Sequence, residues 1–431
     1  MVDFSAATRL VKVDLTDGSK NAGLALGVQF VSIEGLIGSR HDDDLRGTAG
    51  NNLLSGGDGF DRLYGEAGND TLIGANGNDH LYGGSGNDRL EGGDGADWIV
   101  PDAGNDTIFG GAGTDTVAYG TAPRGVNVNL TLGWVTDRNG MLDTISGVEN
   151  VSGSRFADTL MGDAGDNRLR GNNGRDLFVA TDGNDTYDGG GSTDTVSYAA
   201  ALSGVAVNLT TGRGTAGQAN GHVYIDIERV VGTRFSDTLT GNAGRDFLSG
   251  RDADDFIFAT GGSDKYYGGL GEDTVDYSGS NGGVRILLNL GVGEGAMAEG
   301  HTLASIENAI GSRFDDRLAG TASDNDLYGE SGNDTLLGYE GNDLLVGGAG
   351  NDVMFGHAGN DRFIGGAGDD RLFGGDGGDV AVFSGARSDY QITRISGSEV
   401  RVTHIGGNQA DGVDSLFLIE QAQFSDGTVL L

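Results

Sequence analysis

Residues 83–100, GGSGNDRLEGGDGADWIV, are one nine-residue phrase written twice: Gly, Gly, any, Gly, any, Asp, any, large apolar, any. Such a segment holds too much glycine for a helix and too much aspartate for an ordinary strand. Outward from it, the phrase keeps its phase over 38–118 in nine copies. It returns over 153–197 in five, 232–276 in five and 311–382 in eight. Position six is Asp in all of these 27 copies but three, where it is Asn52, Asn167 or Asn325. Position eight is large and apolar, as in Leu63, Leu90, Ile99, Phe178, Tyr266 and Met354; only the last copy slips, with Ala381 there. Two positions held in phase over such a length mark a repeat architecture in which each copy packs on its neighbours.

The segments between blocks are regular too. Residues 119–152, 198–231 and 277–310 are equal in length, and 4–37 is a fourth segment of that length. Each opens on an aromatic residue, alternates as in VNVNL from Val126 or VAVNL from Val205, and closes on a stretch containing IE or VE. Alternation of this kind predicts strands. Their length, close to two coils of the repeat, predicts that they continue the solenoid. The division expected is therefore 1–37, block 38–118, spacer 119–152, block 153–197, spacer 198–231, block 232–276, spacer 277–310, block 311–382 and tail 383–431. The tail alternates in DYQITRI and EVRVTHI and is expected to cap the open end of the solenoid. Val2-Asp3 reads as the end of an earlier copy, so the chain is expected to be a fragment of a longer protein that starts at an artificial Met1.

Composition narrows the classes. The 431 residues carry a net charge of −37, with 83 Gly, 2 Pro and no Cys. Of the 64 acidic residues 51 are Asp, which suits turns and short-range metal ligation better than helices. An acid chain does not seek nucleic acid or an anionic membrane. No disulfide and no thiolate metal site can form. No apolar run is long enough to span a bilayer, and MVDFSAATRLVKVDL lacks the apolar centre of a secretory leader. The six histidines, His41, His80, His222, His301, His357 and His404, form no H-E-x-x-H, and neither a G-x-S-x-G elbow nor a P-loop occurs. Catalysis in this chain is therefore not expected. His80 and His357 fall at variable positions and are expected on the surface, and no aromatic stripe suggests a glycan platform.

The phrase resembles the calcium-binding nonapeptide of the RTX (repeats-in-toxin, hemolysin-type) family over nearly the whole chain. That resemblance implies an all-β fold, a calcium-loaded parallel β-roll in four blocks with β-rich spacers and a C-terminal β cap. Six residues make a turn and three a short strand, and two copies close one coil. Strands stack about 4.8 Å apart, so carboxylates two copies apart stand one above the other. Asp61, Asp79, Asp97 and Asp115 should form one ladder, and Asp70, Asp88 and Asp106 the other. Stacked carboxylates repel unless a cation lies between rungs. Oxygen-only ligands in flexible loops select Ca²⁺ over Zn²⁺ or Mg²⁺.

The candidate ligands are the position-six aspartates. They are Asp43, Asp61, Asp70, Asp79, Asp88, Asp97, Asp106 and Asp115; Asp158, Asp176, Asp185 and Asp194; Asp237, Asp246, Asp255, Asp264 and Asp273; and Asp316, Asp334, Asp343, Asp352, Asp361, Asp370 and Asp379. By resemblance, the carbonyls of Gly83 and Ser85 join Asp88, and those of Gly92 and Asp94 join Asp97. If each ion bridges turns two copies apart, the blocks allow at most 19 ions. The opening turns at Gly38, Gly153, Gly232 and Gly311, the turns at Ala180 and Ala259, and the three Asn copies should lower that number.

The function expected is a secreted, non-catalytic calcium-binding module that folds on Ca²⁺ outside the cell. The resemblance implies export by a type I secretion machinery that reads the C-terminal region. Two alternatives are a rod of an adhesin or surface-layer protein, and an accessory module of an exported protease, lipase or polysaccharide epimerase. A cell surface or a polysaccharide is the partner those alternatives imply.

Overall fold

The apolar residue at position eight sets the architecture. In the computed structural model, which describes residues 1–137, 140–407 and 410–431, these side chains form columns of parallel strands. The spacer 119–152 and the tail 383–431 thus each hold two residues, 138–139 and 408–409, that lie outside the described residues. Two units divide the chain: Met1–Ser197 with Gln218–Ile227, and Tyr198–Gly217 with Glu228–Leu431.

In the first unit, Leu54 pairs with Leu72, Leu72 with Leu90 and Leu90 with Ile108. A second sheet stacks Leu45 on Leu63, Leu63 on Leu81, Leu81 on Ile99 and Ile99 on Val117. Every pair is parallel and joins strands two copies apart, so two copies make one coil, as the period implies. These side chains are essentially inaccessible to water. Burying each contributes about 1.5–3 kcal/mol, which one copy could not realise alone. The second unit repeats the plan with Leu336, Met354 and Leu372 in one sheet and Leu327, Leu345 and Phe363 in the other.

The strands are longer than the three residues expected. Leu344–Ala349 runs over positions seven to nine of one copy and one to three of the next, and most strands within the blocks do the same. The ladder persists through the bend because position two pairs even in the left-handed conformation, as Glu66 does with Gly84. After the first copy of each block the strand stops at three residues: Asp44–Arg46, Thr159–Met161, Thr238–Thr240 and Arg317–Ala319. The turns around these strands are built differently, with Ser39, Ser154, Thr233 and Ser312 donating to the aspartate of each first copy.

The spacers stay in register with the coils and also contain an antiparallel strand. In 119–152, Leu142–Ser146 continues the sheet above Thr107–Gly113, and Asn150–Ser152 sits between Thr116–Ala118 and Arg168–Asn173. Val126–Asn129 lies beneath Thr159–Met161, and Trp134–Asp137 runs antiparallel between it and Leu142–Ser146. The spacer therefore makes one coil plus a reversed strand rather than two coils. In the second unit, Arg285–Leu287, Val292–Glu294 and His301–Ala304 repeat this order.

The tail is a longer variant of the same device. Val413–Phe417 joins Arg371–Asp376 in parallel, and Glu399–His404 and Tyr390–Arg394 follow antiparallel. On the other sheet Gln421–Phe424 joins Val380–Val382 and is covered by Gly427–Leu430. Reversed strands end the parallel stack at this edge. Among the described residues there is no α-helix, and no helix long and apolar enough to cross a membrane.

Candidate metal centre

The turns place the aspartates in vertical rows. Asp61 donates its N–H to Asp79 Oδ1 at 2.8 Å, Asp79 to Asp97 at 2.7 Å and Asp97 to Asp115 at 2.8 Å. Asp70, Asp88 and Asp106 form the second row with steps of 2.8 Å. The same link joins Asp158, Asp176 and Asp194; Asp237, Asp255 and Asp273; Asp246 and Asp264; Asp316, Asp334, Asp352 and Asp370; and Asp343, Asp361 and Asp379. Within each row, one carboxylate oxygen of the receiving aspartate is thereby engaged.

The other oxygen is the unusual one. Asp61, Asp70, Asp79, Asp88, Asp97, Asp106, Asp115, Asp176, Asp255, Asp273, Asp334, Asp343, Asp352, Asp361, Asp370 and Asp379 each bury Oδ2 with no hydrogen-bond partner, and Asp246 does so with Oδ1. A buried carboxylate oxygen without a donor is costly. Burial, opposed by the backbone hydrogen bond, raises these acids. Asp61, Asp106 and Asp334 reach about 8, with neighbouring aspartates adding to the rise. Asp176, Asp255, Asp343 and Asp370 reach about 7.

Most of these oxygens face a notch left open by glycine at position one; in the copy of Asp106 that position is Pro101, and at Gly241 the oxygen faced is Asp246 Oδ2, which accepts from Asn242. A Cβ added at Gly83 would lie 2.6 Å from Asp88 Oδ2 and 2.7 Å from the carbonyl oxygen of Pro101, one coil on. The Gly83 carbonyl in turn meets Asp70 Oδ2 beside Gly65. The notches at Gly65, Gly74, Gly83, Gly92, Gly329 and Gly347 thus hold one carboxylate oxygen and one carbonyl oxygen of the next coil. Gly86, at position four with φ 131°, brings the backbone within reach of the coil before, where a Cβ would strike the Gly68 carbonyl. Among the described residues no three His, Cys, Asp or Glu side chains converge on one point. A cation held in a notch would therefore draw part of its shell from main-chain oxygen, which suits Ca²⁺.

Six of the candidate aspartates sit differently. At Asp43, Asp158, Asp237 and Asp316 the N–H groups of Ser39, Ser154, Thr233 and Ser312 reach Oδ2. Their Oδ1 accepts from Val11, Val126, Val205 and Val284 at 2.6–2.8 Å. Protein donors satisfy both oxygens, because a Ser or Thr at position two bends the turn without a left-handed residue. Asp185 Oδ2 accepts from Tyr187 at 2.8 Å and Thr181 at 3.0 Å, with His222 Nε2 at 3.6 Å. Asp264 has the same surroundings in Tyr266, Thr260 and His301. Both histidines are fully buried; His357 is exposed, and His80 is half-buried against Phe60.

The asparagine copies have a local cause. Asn52, Asn167 and Asn325 donate Nδ2 to the carbonyls of Glu34, Glu149 and Glu307 at 3.3, 2.9 and 2.7 Å. A carboxylate could not make that bond. Sequence reasoning missed a further row at position five: Asn69, Asn87 and Asn105 donate N–H to the side chains of Asn51, Asn69 and Asn87 at 2.8–2.9 Å. The recurring GND was its signal. It also missed an aromatic stack, since Phe355, Phe373 and Phe417 lie face to face with centroids 4.6 Å apart. The faces of Phe373 are covered by its neighbours, so this stack offers no open ring face there for a sugar.

The phrase in its coils decides the family. The model of the RTX calcium-binding nonapeptide repeat (4 copies) matches residues 37–72, 64–99, 73–108, 91–121, 143–178, 152–187, 161–196, 225–257, 240–275, 310–345 and 346–381, more than half of the chain. The chain belongs to the RTX calcium-binding repeat family. No curated protein matches it. The RTX repeats bind calcium, and the two-sheet stack with two-copy coils is the β-roll of this RTX chain.

Proposed function

We propose that this RTX chain is a non-catalytic, secreted module that folds when calcium enters its turns outside the cell. The observation that carries this reading is the set of buried carboxylate oxygens that have no donor and face a carbonyl across a glycine notch. Calcium would supply the missing positive charge there. Binding energy then becomes folding energy, because without the ion the coil must bury repelling carboxylates. A glycine-rich chain of charge −37 otherwise loses little by staying open.

The ligands supported best are the aspartates with an oxygen left over. Asp43, Asp158, Asp237 and Asp316, together with Asp185 and Asp264, act instead as hydrogen-bonded struts. The ion count is then below the 19 that block lengths allow. Export through a type I machinery, which the family implies, would deliver the unfolded chain from low to high calcium.

Far-UV circular dichroism tests this directly. In chelator the full chain should lack β structure and gain it at roughly 0.1–1 mM Ca²⁺. A spectrum identical with and without calcium would refute the proposal.

A further inference from the structure

We propose that three glutamates outside the blocks, two in spacers and one in the tail, are cation ligands, each forming with the last aspartate of the preceding block a calcium site outside the nine-residue phrase. This rests on the calcium-driven folding proposed above and extends it to the seams between blocks, spacers and tail.

Inside a block each aspartate donates its N–H to the next aspartate of its row, one coil on. At the end of a block one row goes on to an aspartate outside it, Asp106 to Asp143 and Asp370 to Asp414, but no such aspartate follows Asp115, Asp273 or Asp379. The slot is filled all the same. Asp115 donates to Glu149 Oε2 at 2.8 Å, Asp273 to Glu307 Oε2 at 3.0 Å and Asp379 to Glu420 Oε2 at 2.8 Å. The added methylene of Glu lets a carboxylate reach the same place from a differently shaped loop.

The second oxygen of each aspartate is left as it is within the blocks. Asp115, Asp273 and Asp379 are completely buried, and Oδ2 of each has no partner. Across from it stands a carbonyl that belongs to no repeat. Two residues before each glutamate, Gly147, Ser305 and Leu418 adopt φ of 60°, 49° and 52°. This turns their carbonyl oxygens into the notches at Gly110, Gly268 and Gly374, where a Cβ would meet both the carbonyl and the aspartate Oδ2. Each carbonyl also accepts a long bond of 3.2–3.4 Å from Gly111, Gly269 or Gly375, which leaves its second lone pair. For Ser305 and Leu418 the left-handed backbone costs about 1–2 kcal/mol, which argues that the carbonyl's direction matters.

The chemistry points to a cation rather than to a hydrogen-bond cap. A glutamine would serve the aspartate N–H as well as a glutamate does. A buried aspartate and the glutamate brought beside it, half-buried at 149 and 307 and exposed at 420, repel unless a positive charge lies between them. Two carboxylates and a carbonyl form a hard, oxygen-only set, which favours Ca²⁺ over softer metals. The sites would tie each spacer, and the tail through Leu418 and Glu420, to the block before it.

The test is a calcium count by equilibrium dialysis on the full chain and on Glu149→Gln, Glu307→Gln and Glu420→Gln. The amide oxygen keeps the hydrogen bond and removes only the charge. Each replacement should lower the count by one ion, and the triple variant by three, with the β-sheet spectrum in calcium retained. An unchanged count in folded variants overturns the seam sites and leaves calcium-driven folding standing. A wild-type chain that binds no calcium overturns both. Should a variant fail to fold, a crystal of the calcium-loaded wild-type chain decides. An ion at about 2.3–2.6 Å from the Glu420 carboxylate and the Leu418 carbonyl supports the site; a water molecule in that place overturns it.

Discussion

One residue type, aspartate at position six, serves two purposes that its neighbours separate. Asp352 has Oδ1 on the Asp334 N–H at 2.8 Å and a buried Oδ2 with no partner. Asp316 has both oxygens engaged by Ser312 and Val284. Asp352→Asn should therefore remove an ion and raise the calcium needed for folding. Asp316→Asn should keep the ion count and cost about 1–3 kcal/mol through its lost acceptor. Equilibrium dialysis and thermal melts in calcium distinguish the two; loss of an ion from Asp316→Asn would contradict this assignment. Backbone strain gives a second residue-scale outcome. Ala253 stands at position four with φ 72°, where most copies have glycine. Ala253→Gly should stabilise the calcium-loaded chain by about 1 kcal/mol, read as a higher melting temperature.

At the scale of the element, the period made the blocks legible and left the spacers half read. Position six is Asp in all but three copies and position eight is large and apolar in all but one, so the two rows of aspartate and the two columns of Leu63, Leu81 and Leu54, Leu72 followed from the sequence. The six aspartates closed by donors lie in the turns that the sequence marked as imperfect, those opening at Gly38, Gly153, Gly232, Gly311, Ala180 and Ala259; how they are closed did not follow. GSR and GTR look like small variants of GGx, yet Ser39, Ser154, Thr233 and Ser312 convert a notch into a hydrogen-bonded turn. The reversed strand Trp134–Asp137 was hidden for another reason: alternation predicts a strand and not its direction. The asparagine copies belong to this scale, since each joins a block to the spacer before it. Asn325→Asp replaces the donor to the Glu307 carbonyl at 2.7 Å with a second acceptor. It should lower stability in calcium by about 1–3 kcal/mol. A melting temperature at or above that of the wild type would show that the Asn–Glu contact does not hold the seam.

For the whole molecule, the buried carboxylates couple folding to pH as well as to calcium. Burial raises Asp61, Asp106 and Asp334 to about 8, and Asp70, Asp79 and Asp97 to about 6, from an ordinary value of 3.8. A raised acid favours the folded state when protonated. That contribution is complete below the unfolded value of 3.8 and is lost as pH rises through about 6 to 8. Protons thus act in the metal-free coil as calcium is proposed to act at neutral pH, by cancelling charge in the notches. Two trends follow. In chelator, lowering the pH from 8 to about 5 should raise the β content, with pH kept above the sequence pI of about 4.2 so that the chain stays soluble. In calcium, the same change should lower the concentration needed for half-folding, because protons and calcium both favour the coil over the open chain, while fewer ions are taken up because protons compete for the same oxygens. Circular dichroism over a grid of pH and calcium reads both trends at once. A half-folding concentration that does not change with pH over this range would mean that the buried carboxylates take up no protons when the chain folds.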